Sequence, residues 1–77
     1  MDLQKLIVDI AKAIVDKPEY VNVTVNEDEA SVVYVLSVHQ DDMGLVIGKH
    51  GKIAKSIRSV VKAAAFSTHK KVTVDIR

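Results

Sequence analysis

The stretch GLVIGKHGKIAKSIR, residues 44–58, gathers all three glycines of the chain, four cations (Lys49, Lys52, Lys55 and Arg58) and His50. Residues of these types at this spacing suit phosphate binding. Glycine lets a sugar–phosphate backbone approach more closely than a Cβ would allow. A loop that leads into a helix also offers unpaired N–H groups at the positive end of the helix dipole. Lys49 and His50, between Gly48 and Gly51, stand where such a backbone would be touched, and Lys52, Lys55 and Arg58 extend the positive field. A nucleotide-binding P-loop is excluded. That motif has four residues between its glycines and a hydroxyl residue after the lysine, whereas three residues separate Gly44 from Gly48 and His50 follows Lys49.

Catalysis has no comparable basis in the chain. His39, His50 and His69 are scattered, no two histidines stand at i, i+4 as a metal pair would, and there is no cysteine. Asp41 and Asp42 precede a predicted helix, where adjacent carboxylates serve as caps. No catalytic residue, metal ligand or cofactor is therefore assigned. The plain structural reading of Gly48 and Gly51 is a tight turn between helices, but a turn would not require the basic stripe that follows it.

Seventy-seven residues specify one domain with a modest core. The formal net charge of +1 conceals a division: residues 1–45 carry −6 and residues 46–77 carry +7, counting Asp, Glu, Lys and Arg. A polyanion is the natural partner for the second half. Without cysteine, disulfides are excluded. No apolar run reaches the ~18 residues of a membrane span, and MDLQKL lacks the basic start and apolar block of a signal peptide. A cytoplasmic protein without membrane contact is expected.

Periodicity supplies the elements that hold the loop. Leu3, Leu6, Ile7, Ile10, Ala11 and Ile14 fall at helical spacing, and Pro18 closes the segment. Val21, Val23 and Val25 alternate with polar residues as a strand. A second strand follows with Val32, Tyr34, Leu36 and Val38 on one face and Val33 and Val35 on the other. QDDMGLVIG predicts a short helix capped by Asp41 or Asp42 and ended by Gly48 in a left-handed conformation, with Gly44 easing its packing. KIAKSIRSVVKAAAF predicts a long helix with Ile53, Ile57, Val60, Val61 and Ala64 on one side and Lys55, Arg58 and Lys62 on the other. STHK breaks it, and KVTVDIR is a last strand with Val72, Val74 and Ile76 facing inward.

VIGKHGKIAKSIR resembles the signature of the KH RNA-binding domain, with Gly48-Lys49-His50-Gly51 as its G-x-x-G loop. Such loops clamp about four nucleotides of single-stranded backbone. Over nearly all 77 residues the chain is similar to the small stand-alone bacterial KH proteins of the KhpA family. The resemblance implies a single α+β KH domain of type II, αββααβ, with a three-stranded mixed sheet covered on one face by three helices. It implies single-stranded RNA as partner and a post-transcriptional regulator or RNA chaperone as function. It also implies a homodimer, or a heterodimer with a larger KH-containing protein. The RNA-binding residues it indicates are Gly48, Lys49, His50, Gly51, Lys52, Lys55 and Arg58, with Ile47 and Ile53 as an aliphatic floor. Many KH domains place Ile or Val three residues after the second glycine, where this chain has Ala54. With only Tyr20, Tyr34 and Phe66 as aromatics, a sheet that binds RNA by stacking is disfavoured. The alternative reading is an interaction module that docks or dimerises through spare apolar surface at Val8, Val15 and the AAAF segment, its partner supplying RNA recognition.

Overall fold

The computed structural model of the protein describes residues 2–66 and 68–77; Ser67, in the predicted break after the long helix, lies outside the described residues. The first apolar period folds as helix α1 (Leu3–Ile14), whose Asp2 side chain accepts from the Lys5 amide at 3.1 Å. Val15 is already extended, three residues ahead of Pro18, and a single 3-10 turn (Pro18–Tyr20) leads to the sheet. Strands β1 (Asn22–Glu27) and β2 (Ser31–Ser37) form an antiparallel hairpin, with Val23 opposite Leu36 and Val25 opposite Tyr34. Its turn is pinned by Asp28, whose carboxylate accepts from the amides of Ala30 (2.8 Å) and Ser31 (2.7 Å). Those two bonds hold the Asp28 carboxyl below its ordinary pKa.

Strand β3 (Lys71–Ile76) pairs with β2 in parallel, Val32 opposite Val72 and Leu36 opposite Ile76, giving a mixed sheet in the order β1-β2-β3. Parallel neighbours need a long crossover. Here the chain between β2 and β3 folds into helices α2 (Met43–Ile47) and α3 (Lys52–Ala64) with the glycine loop between them. The predicted α+β order αββααβ is thus the one observed. The core is a single cluster of Ile7 and Ala11 from α1, Val23, Leu36 and Val74 from the sheet, and Ile57 and Val61 from α3. Tyr34 packs against it, and burial pushes its hydroxyl pKa up. The alternating partners Val33 and Val35 are half-buried on the opposite face.

Three expectations are corrected. Val8 and Val15 are not spare surface: Val15 is buried and Val8 packs half-buried against the core. The helical period is wide enough that α1 presents Leu6, Ile10 and Ile14 sideways to α3 instead. Asp42 does not cap its own helix; it is buried at 1% exposure and its Oδ2 accepts from the Lys17 amide at 3.0 Å. It thereby ties the end of α1 to the start of α2. Asp41 pairs with Lys17 Nζ at 2.9 Å, which lowers its carboxyl pKa, while His39 Nδ1 accepts from the Asp41 amide at 3.1 Å. Gly44 is exposed, and a Cβ there would meet nothing within 4 Å, so the packing of α2 does not require glycine at this position.

Candidate nucleic-acid interface

The loop between α2 and α3 holds its shape through backbone conformations that few residues adopt. Gly48 has φ 75° and ψ 171°, Gly51 has φ 73° and ψ 15°, and His50 between them has φ 59°. Gly48 ends α2 at the positive φ the sequence predicts, yet its ψ is extended rather than left-handed helical. That combination is essentially restricted to glycine. A Cβ on Gly48 would also collide with Ile53, lying 2.8 Å from its Cβ and 3.0 Å from its backbone nitrogen. His50 is among the residue types that tolerate the left-handed region. Lys49 and His50 are both exposed at the tip. Helix α3 then starts with no side chain capping its N-terminal N–H groups, which leaves the positive end of its dipole open to an anion.

Helix α3 carries three stripes. Ala54, Ile57, Val61 and the following Ala65 are buried, Ile57 and Val61 in the core cluster shared with the sheet. Arg58 and Lys62 lie on the flank turned toward β3, and exposed Lys55, one helical turn before Arg58, shares their face of the helix. Ile53 and Val60 lie on the flank turned toward α1, 38% and 47% exposed. Ala54 thus occupies a buried position. Ile53 lines the α1 side and covers Gly48, so the structure does not bring it to the basic flank. Ile47 is exposed at the end of α2 beside Gly48. Val46, in contrast, is fully buried.

The basic flank forms one wall of a groove of about 500 Å³ whose other wall is β3 and the chain leading into it. Arg58, Lys62, Phe66, Lys70 and Lys71 line it. Arg58 Nε donates to the Val74 carbonyl at 3.2 Å, which fixes the guanidinium at the floor between helix and strand. Lys70 and Lys71 come from the far side of the crossover. No spacing rule joins them to Arg58, and only the parallel pairing of β2 with β3 brings them opposite α3.

The charge state of this region is as informative as its shape. Among the described residues Lys49, Lys52, Lys55, Arg58, Lys62 and Lys71 make no ion pair. Lys70 pairs with Glu27 at 2.6 Å and Arg77 with Asp75 at 2.9 Å. The loop, helix α3 and the start of β3 therefore carry six cations without an ion-pair partner among the described residues. No cluster of three or more His, Asp or Glu able to hold a metal ion is found among the described residues, and no helix there is long and apolar enough to cross a membrane.

A glycine loop joining two helices within the crossover of a three-stranded mixed sheet, in the order αββααβ, defines a KH domain. Comparison with known proteins narrows the class. The family model of the KhpA/KhpB KH domain matches residues 4–76, and the chain belongs to that family. It is 53% identical over 74 residues to the RNA-binding protein KhpA of Clostridium perfringens, covering 96% of this chain and 99% of the relative. It is 46% identical to the protein of the same name from Oceanobacillus iheyensis, with the same coverage of both chains. Among solved structures it superposes on part of Aquifex aeolicus Era, in its Y63A form bound to GDP and aluminium fluoride, with a TM-score of 0.68 at 15% identity. That match covers 96% of this chain but only 29% of the Era chain, and it concerns the fold alone.

Proposed function

We propose that this protein binds single-stranded RNA, acting in the cytoplasm as a post-transcriptional regulator or RNA chaperone rather than as an enzyme. The observation that carries this reading is the row of cations without an ion pair, from Lys49 at the loop tip through Lys52, Lys55, Arg58 and Lys62 on α3 to Lys71 at the start of β3. In this reading Gly48 and Gly51 admit the sugar–phosphate backbone, and Lys49, His50 and the positive dipole end of α3 hold phosphates. Lys52, Lys55 and Arg58 keep the strand over α3, with Lys62 and Lys71 continuing the track. Ile47 supplies apolar contact beside the loop, and Ile53 supports it from beneath by fixing Gly48. Family membership supports the same reading, since the relatives carry the name RNA-binding protein.

Salt dependence tests it. If the loop clamps about four nucleotides, the logarithm of the association constant falls with the logarithm of salt concentration at a slope near −2.8, about −0.7 for each phosphate neutralised on a single strand. A titration of mixed-sequence single-stranded RNA between 50 and 300 mM salt reads this slope. Binding that ignores salt, or that prefers duplex RNA, would overturn the proposal.

A second reading has its own observation. The α1–α3 flank forms a groove of about 400 Å³ lined by Leu6, Ile10, Ile14, Ile53, Ile57 and Val60, with Ser56 the one polar residue. It lies on the side of α3 away from the basic stripe. Pairing with a second copy, or with a larger KH-containing protein, through this groove leaves the RNA surface open. Val60→Glu is expected to convert a sedimenting dimer into a monomer while leaving RNA affinity per domain unchanged. A wild-type protein that sediments as a monomer at 100 μM removes the homodimer.

A further inference from the structure

Phe66 is the most exposed large apolar residue among the described residues, 88% accessible two residues past the end of α3. It does not belong to the apolar flank. Four residues after Lys62, it lines the basic groove together with Arg58, Lys62, Lys70 and Lys71. We propose that Phe66 is a stacking platform for one RNA base, at the end of the groove opposite the glycine loop. The proposal rests on the RNA-binding reading above and adds to it a contact with a base rather than with the backbone.

The argument is one of chemistry and place. Every base has a π-face, and an aromatic ring set among cations is the arrangement by which proteins hold single strands irrespective of sequence. The cations supply the phosphate contacts that keep the strand over the ring. Tyr20 and Tyr34 offer no such surface in this groove: Tyr20 sits edge-on to His39, and Tyr34 packs against the core. Helix α3 has 13 residues and spans roughly 20 Å, and Phe66 follows just past its end, so the loop and the ring stand at opposite ends of the helix. A strand clamped at the loop and laid along Lys55, Arg58 and Lys62 arrives at the ring. The two ends then have different tasks. The loop grips backbone whatever its bases, and the ring requires a base to be present.

The test separates these contributions. Phe66→Ala is expected to bind an eight-nucleotide oligouridylate about ten-fold more weakly than the wild type, the loss expected for one stacked base. Against an abasic ribose-phosphate octamer the two proteins should bind equally. Phe66→Trp should keep wild-type affinity and show fluorescence quenching on adding the oligouridylate, the only tryptophan in the chain being the reporter. Equal binding of the oligouridylate by Phe66→Ala and wild type overturns the proposal. So does a change in sedimentation in Phe66→Ala, which would make the ring a protein contact. Loss of RNA binding by loop variants is a separate outcome, because it reduces both octamers alike.

Discussion

Alanine at position 48 is expected to cost the protein several kcal/mol of stability and most of its RNA binding. Two penalties coincide there. The backbone of Gly48, with positive φ and extended ψ, costs an L-residue about 1–3 kcal/mol. The added Cβ also meets Ile53, including its backbone nitrogen at 3.0 Å, and that nitrogen cannot move without disturbing the first turn of α3. A domain of this length has a total stability of roughly 4–12 kcal/mol, so the loss is a large fraction of it. Gly51 supplies the contrast. Its φ is also positive, yet a Cβ there meets nothing within 4 Å, so Gly51→Ala should cost only about 1–2 kcal/mol. Urea denaturation of the two variants measures the difference. Equal midpoints for Gly48→Ala and the wild type would mean that the loop does not hold this conformation in solution.

The largest expected effect on binding comes from reversing the loop tip. Lys49→Asp combined with His50→Asp should weaken binding of single-stranded RNA at least about a hundred-fold near physiological salt, because two phosphate contacts become two repulsions. The fold should not suffer. Both side chains are exposed, and aspartate, like histidine, tolerates the left-handed backbone that position 50 requires. Circular dichroism of the variant should match the wild type. A folded double variant that binds RNA as tightly as the wild type would remove the loop from the site.

These effects also show where the sequence was legible. Strand alternation and the helical periods of α1 and α3 are properties of single elements, and they appear in the structure in the predicted order. The mixed sheet and the single helical layer followed from family resemblance. What escaped was the rotation of each helix about its axis. The apolar arc of α3 is wider than the part the sheet can cover, so Ala54 and Ala65 are buried while the larger Ile53 and Val60 remain exposed. A small residue carries a weak hydrophobic signal, and only the position of α1 determines which edge of the arc stays open. Val15 was misread for another reason: α1 ends at Ile14, and the extended backbone of Val15 leaves that side chain buried. Asp42 was misread because its partner, the Lys17 amide, is 25 residues away in sequence. The basic stripe was legible on α3, but the groove was not, because its second wall arrives only through the pairing of β2 with β3.

That pairing has a consequence for the order of events in folding. Every residue assigned to the loop and to the α3 stripe lies in the crossover between β2 and β3. The hairpin of β1 and β2 can form from local contacts, but it contains none of the site. The groove acquires its second wall only when β3, the last element along the chain, takes its place beside β2. A nascent chain still lacking β3 would therefore present the cations of α3 without the cleft that aligns a strand. Competence to hold RNA and completion of the sheet are then a single cooperative step, and the domain has no half-assembled state that binds with native geometry.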